Sequence, residues 1–163
     1  MVEARKNENA EEQLSLLPAA LEALLKDDDD LVSGLANAAA ALKLYLDDIN
    51  WAGFYLLKDK TLVLGPFQGL PACTRIGEGK GVCGKAALDG KTLVVPDVHA
   101  FPGHIACDSA SASEIVVPLF RAGKVFAVLD IDSPRPGRFG PAEEAILTRA
   151  GNIISAWASG LIL

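Results

Sequence analysis

Glu114-Ile-Val-Val-Pro-Leu-Phe-Arg-Ala-Gly-Lys-Val-Phe-Ala-Val-Leu-Asp-Ile-Asp132 is the stretch that decides the fold. Two runs rich in β-branched and aromatic residues, Glu114 to Phe120 and Lys124 to Asp132, flank Arg121-Ala-Gly123 and predict an antiparallel hairpin. In Leu129-Asp-Ile-Asp132 strand alternation sends Leu129 and Ile131 to one face and Asp130 and Asp132 to the other. Two carboxylates on one face repel unless a cation or a shared proton relieves them. Glu114, at the start of the neighbouring strand, points into the same mouth. Three acids there suit a small molecule with an ammonium group, and one with a raised pKa can protonate a developing oxyanion. The simpler alternative is a strand end emerging into solvent.

Working outward, Trp51 to Leu57 and Thr61 to Leu64 form a second hairpin around Lys58-Asp-Lys60. Trp51 and Tyr55, four residues apart, share a strand face; they serve either as the wall of a pocket or as ordinary core. Gly65 to Pro71 is a Gly/Pro-punctuated stretch, followed by Cys73 and Ile76, a Gly79-Lys-Gly81 turn, and a short helical segment over Val82 to Leu88. Thr92 to Pro96 reads as a brief strand and Asp97 to Ser113 as a long polar loop, of a length more often functional than idle.

At the N-terminal side, Leu14, Leu17, Leu21, Leu24 and Leu25 recur at helical spacing over Glu11 to Lys26, with Pro18 as a kink or restart point. The acids Asp27 to Asp30 cap a second helix carrying Leu31, Leu35, Ala39, Leu42 and Leu46. They lack the Gly-bearing loop of spaced oxygens that calcium requires. The closing helix begins with Gly140 as N-cap, Pro141 in the first turn, and Glu143 and Glu144 at its positive end. This order predicts an α+β domain, an antiparallel sheet with its N- and C-terminal helices packed on one face, over residues 11–163, preceded by a flexible segment over residues 1–10.

The 163 residues suffice for one core and not for two ordinary domains. With half the residues apolar and a net charge of −6 from 15 scattered Lys and Arg, there is no basic stripe for nucleic acid. Met1 to Gln13 lacks the apolar run of a signal peptide, and Arg149 and Asn152 interrupt the apolar C-terminus, so a cytoplasmic protein without a membrane span is expected. Three cysteines are an odd number and argue against a structural disulfide framework. They leave packing, metal or redox roles. Zinc held by Cys73, Cys83 and Cys107 with His99 or His104 is disfavoured, because the gaps are long and no C-x-x-C pair occurs. Cys83, between Val82 and Gly84, reads either as a small buried hydrophobe or as a redox thiol. Cys107, in a polar loop beside Asp108 and near His104, favours the chemical role.

Several motifs carry a resemblance: Asn50-Trp-Ala-Gly-Phe-Tyr, Leu64-Gly-Pro-Phe-Gln-Gly-Leu-Pro-Ala-Cys-Thr-Arg-Ile76, Gly79-Lys-Gly-Val-Cys-Gly84, Val95-Pro-Asp-Val-His99, Phe101-Pro-Gly-His-Ile-Ala-Cys-Asp-Ser-Ala-Ser111, Ser113-Glu-Ile-Val-Val-Pro-Leu119 and Leu129-Asp-Ile-Asp-Ser-Pro134. Together they resemble the free methionine-R-sulfoxide reductases, single GAF-domain enzymes, closely from about Asn50 to Phe139 and more loosely in the flanking helices. Departures are small: Phe126-Ala127 replaces a smaller pair, and the turn from Pro134 to Arg138 is Pro-rich.

The resemblance implies reduction of free methionine-R-sulfoxide to methionine, with Cys107 as nucleophile, Cys73 as resolving partner and Cys83 as an auxiliary thiol. It places Glu114, Asp130 and Asp132 in the substrate site, with Glu114 or Asp132 as proton donor, and Trp51 and Tyr55 around the substrate methyl group. It implies a cycle through sulfenic acid and disulfide, recycled by an external dithiol donor of the thioredoxin type, with no bound cofactor or metal. A GAF small-molecule sensor without turnover is the competing reading, although a sensor has no need of redox cysteines. A homodimer through the N-terminal helices is a further expectation from their apolar stripes.

Overall fold

The computed structural model describes residues 9–162. Most of the segment expected to be flexible lies outside them; at its described end, the Asn9 side chain accepts a hydrogen bond from Glu11 N–H and caps a helix that starts at Ala10. The first helical stretch divides at Leu16 into α1 (Ala10–Ser15) and α2 (Leu17–Leu25), with Pro18 in the first turn of α2, where its missing N–H costs nothing. Asp30 caps α3 (Leu31–Tyr45), its carboxylate accepting from Val32 and Ser33 N–H as the acidic run predicts.

The strands β1 (Trp51–Lys58) and β2 (Thr61–Gln68) form the first hairpin, with Asp59 and Lys60 both at positive φ in a two-residue turn. β2 runs four residues beyond the expected strand, through Gly65-Pro66. Proline is tolerated there because Pro66 lies where the pairing with β1 shifts register, between Gly53–Phe67 and Tyr55–Leu64, and beyond the residues that β3 (Arg75–Gly77) pairs, Thr61 to Val63. After α4 (Gly81–Asp89) and β4 (Leu93–Val95), a single 3₁₀ turn over Val98–Ala100 breaks the long loop. The hairpin of β5 (Ser113–Arg121) and β6 (Lys124–Ser133) follows, and α5 (Pro141–Ser159) closes the chain.

All strand pairs are antiparallel, in the order β3-β2-β1-β6-β5-β4. One sheet face, built from Ala52, Phe54, Ile115, Val117, Leu119, Ala127, Leu129 and Ile131, packs with the leucine faces of α2 and α3 and with Leu147, Ala150 and Ile154 of α5. This is the helical layer foreseen from the sequence. The other face carries Trp51, Tyr55, Val116 and Val128 against α4, so the short internal helix forms a second layer. Hydrophobic burial drives both, at about 1.5–3 kcal/mol for each large side chain removed from water. Among the described residues no helix is long and apolar enough to cross a membrane.

Gly84 fixes how closely α4 approaches the turn before it. A Cβ there lies 2.5 Å from the Gly77 carbonyl oxygen and 3.1 Å from Gly79 N, backbone atoms that cannot swing aside. Gly84→Ala therefore lowers stability by about 1 kcal/mol or more in urea denaturation, the overpacking cost outweighing the gain in helix propensity of roughly 1 kcal/mol. Lys85→Ala, at an exposed position of the same helix, changes stability by no more than about 0.5 kcal/mol.

Candidate active site

The strand register builds the site. On β6, Asp132 stands opposite Glu114 of β5 on one side and Trp51 of β1 on the other; two residues earlier, Asp130 stands between Val116 and Gly53. The three acids expected to share a face therefore do so. With Trp51, Tyr55, Cys83, His104, Cys107, Asp108 and Ser111 they line a cavity that opens to solvent.

Glu114 and Asp130 are each only 6% exposed. Among the described residues no Lys or Arg pairs with any of the three acids, and the cationic candidate nearest Glu114 is His104, with Nε2 3.8 Å from Glu114 Oε2. Burial without a fixed counter-charge pushes carboxyl pKa values upward. Desolvation, reinforced by the charge of Asp132, raises Glu114 to about 8. Asp130 is raised well above the ordinary range by desolvation and then by Glu114, and Asp132 by desolvation and then by Asp130. Desolvation also lowers His104, which favours its neutral form.

The aromatic pair forms the expected wall. Trp51 and Tyr55 stack with ring centroids 5.9 Å apart, and Trp51 stacks on Phe67 at 5.2 Å. Gly53 leaves room for this: a Cβ there meets Phe67 Cβ at 2.3 Å and the edge of the Trp51 ring at 2.8 Å. Both polar ends are anchored, Trp51 Nε1 donating to Leu70 O at 3.2 Å and the Tyr55 hydroxyl to Cys73 O at 2.9 Å. Desolvation, with the acids and Cys83 beyond it, raises the Tyr55 hydroxyl above its usual value and keeps it a donor.

Cys73 and Cys107 are joined by a disulfide, S–S 2.05 Å with Cα atoms 5.4 Å apart. Cys83 is free and buried in α4, its thiol 3.8 Å from Glu114 Oε1. Desolvation, and then the charges of Asp130 and Glu114, push that thiol upward and disfavour its thiolate. Its sulfur and one oxygen each of Glu114 and Asp130 lie within 4.8 Å of one another, a grouping able to hold a metal ion. His99, the other histidine weighed for zinc, is exposed on the 3₁₀ turn and lies outside this cluster.

The sequence singled out His104 only as a disfavoured zinc ligand, Asp108 only as a neighbour of Cys107, and Asn50 and Ser111 not individually, yet all four shape the site. The Asn50 amide donates to Asp108 Oδ2 at 2.9 Å and Ser111 Oγ at 3.1 Å, tying the Cys107 loop to the start of β1. The sequence hints were the position of Asn50 directly before Trp51, of His104 three residues before Cys107 and of Asp108 directly after it.

A six-stranded antiparallel sheet with helices on one face and a cavity under a loop and short helix on the other is the architecture of a GAF domain, and the GAF domain family matches residues 23–156. Within that class, the free methionine-R-sulfoxide reductase of Escherichia coli is 54% identical over 122 residues, covering 75% of this chain and 74% of its own. That of Saccharomyces cerevisiae is 43% identical over 157 residues, covering 91% and 87%. The X-ray structure of free methionine-R-sulfoxide reductase from Neisseria meningitidis in complex with its substrate is 43% identical, with a TM-score of 0.89 over 98% of this chain and 96% of that one. The chain belongs to the free methionine-R-sulfoxide reductase family of GAF-domain oxidoreductases.

The raised acids carry a stability consequence. From the ordinary value of 4.5 up to about 8, the folded chain holds a proton on Glu114 that the unfolded chain has lost. Stability therefore decreases as pH rises through that window, and Asp130 and Asp132 act in the same direction. Urea denaturation between pH 5 and 8.5 shows this decline, and Glu114→Gln makes it shallower.

Proposed function

We propose that this chain reduces free methionine-R-sulfoxide to methionine, with Cys107 as nucleophile. The observation that carries the reading is that Cys107 opens onto the cavity lined by Trp51, Tyr55, Glu114, Asp130 and Asp132 while bonded to Cys73, so one sulfur faces both a substrate site and a redox partner. Relatives with this reaction in their names, one of them solved with its substrate, support it.

In this cycle the reduced Cys107 thiolate attacks the sulfoxide sulfur while a protonated Glu114 or Asp132 donates to its oxygen, a poor leaving group until protonated. The S–O bond breaks as the protonated oxygen takes a second proton and leaves as water; water then attacks Cys107 Sγ, the bond between the two sulfurs breaks with its electron pair going to methionine, and Cys107 is left as a sulfenic acid with one proton returned to solvent. The Cys73 thiol condenses with it, releasing water and forming the Cys73–Cys107 disulfide. A dithiol donor of the thioredoxin type then takes that disulfide through a mixed disulfide back to two thiols, itself becoming oxidised. The buried acids bind the substrate ammonium, and the aromatic wall takes the S-methyl group. Peptide-embedded methionine sulfoxide has no free ammonium for this site. Resolution is assigned to Cys73 because Cys83 is buried with its thiolate disfavoured. The cycle uses no bound metal or cofactor, and a cytoplasmic homodimer belongs to the same reading.

Dithiol-dependent formation of methionine from the separate R and S sulfoxides tests it. R-selective turnover, lost in Cys107→Ser and absent with the sulfoxide inside a peptide, is the expected result; turnover surviving in Cys107→Ser reassigns the nucleophile, and none in freshly reduced wild type returns the domain to ligand sensing. Glu114→Gln or Asp132→Asn, whichever removes the proton donor, lowers kcat/KM by about 10²–10⁴-fold. With Glu114 as donor, the acid form is lost above its value of about 8, so kcat/KM falls as pH rises through 8.

A further inference from the structure

Cys83 has no task in the cycle above; it packs in the core under α4, yet its thiol meets a buried carboxyl. It projects from α4 toward Glu114 of β5 and Asp130 of β6, so three packed elements bring one thiol and two carboxyls together at the inner wall of the cavity. We propose that Cys83, Glu114 and Asp130 form a binding site for a borderline divalent transition cation of the Zn²⁺ type, and that the bound ion shuts the cavity to its amino-acid substrate.

The ligand atoms lie within 4.8 Å of one another, and Cys83 Sγ is 3.8 Å from Glu114 Oε1. A tetrahedral zinc with bonds of about 2.3 Å to sulfur and 2.0–2.2 Å to oxygen holds its ligand atoms roughly 3.3–3.6 Å apart, so the widest separation in the cluster closes by up to roughly 1.2–1.5 Å. An independent sign of a missing partner is Asp130 Oδ1, which is buried with no hydrogen bond. A stranded buried acceptor is costly, and a cation satisfies it. The ligand chemistry selects the ion. Magnesium and calcium take six or more oxygens, whereas a thiolate with two carboxylates suits Zn²⁺ and its spectroscopic substitute Co²⁺. Three protein ligands leave a fourth position for water, as in catalytic zinc sites. The ligands bind deprotonated, their protons passing to solvent as the ion enters. Zinc was disfavoured on cysteine spacing alone; this set uses one cysteine and two acids far apart in sequence.

The site stands independently of the proposed reduction, whereas the exclusion of substrate rests on it. Oxidised protein is the material for the first test, because its Cys73–Cys107 disulfide leaves Cys83 as the single thiol. Competition with a chromophoric chelator is expected to give one Zn²⁺ per chain, and Co²⁺ a thiolate-to-cobalt charge-transfer band. Cys83→Ser abolishes the band and weakens Zn²⁺ by more than the roughly 10–100-fold that loss of an outer-shell partner costs; Asp130→Asn weakens it with the band retained. No stoichiometric Zn²⁺ on the wild type, or undiminished binding by both variants, overturns the site. In single turnovers of pre-reduced enzyme without added thiol, Zn²⁺ is expected to raise the half-saturating concentration of free methionine-R-sulfoxide, and less so in Cys83→Ser. An equal effect in that variant, or none in a wild type shown to bind the ion, overturns the exclusion. Absence of turnover in metal-free enzyme that binds Zn²⁺ defeats the reduction alone.

Discussion

The apposition of Glu114 and Asp132 across neighbouring strands, with Asp130 one pleat along, is the constraint on which the rest of this structure depends. Three carboxyls on one sheet face, without Lys or Arg partners among the described residues, are costly to ionise together. The protein accommodates them by holding protons at pH values where exposed acids have none. A neutral buried acid is a proton donor, and an ionised one beside it attracts a cationic group; the same strain thus supplies both functions that the proposed reduction requires.

The second organising element is β1. Its start holds the Cys107 loop through the Asn50 amide, and its middle holds the Cys73 backbone through the Tyr55 hydroxyl. The rings of Trp51 and Tyr55 lie between these two attachments. Both halves of the disulfide are thereby referenced to the strand that neighbours Asp130 and Asp132. The loops are irregular, but their anchoring is to an interior strand of the sheet, which is how a site on loops keeps its geometry.

Much of this was legible in the sequence because it rests on short-range rules. The period of two in Leu129-Asp-Ile-Asp132 gave the acidic face, the leucine spacing gave the helices, and Pro18, Asp30 and Gly140 marked their starts. The motifs marked the cysteine loops. What escaped depends on long-range contact. The edge pairing of β3 is only three residues long, and the reach of Asn50 to Ser111 spans 61 positions with no local signature. The layer formed by α4 on the opposite face likewise follows from tertiary packing around Gly84, which periodicity in a nine-residue helix does not convey. The convergence of Cys83 with Glu114 and Asp130 was hidden for the same reason.

The disulfide closes a loop between residues 34 apart that contains α4 and β4. A crosslink of that span disfavours the unfolded chain by about 4 kcal/mol in the chain-entropy model. In the proposed cycle the enzyme therefore alternates between a tethered and an untethered chain at each turnover, and its mechanical resilience oscillates with its redox state. When reductant runs short, the population accumulates in the tethered form, the one least open to unfolding and proteolytic attack. Oxidising conditions that stall the enzyme thus also preserve it, leaving an intact reserve to be reactivated by thiol exchange without new synthesis.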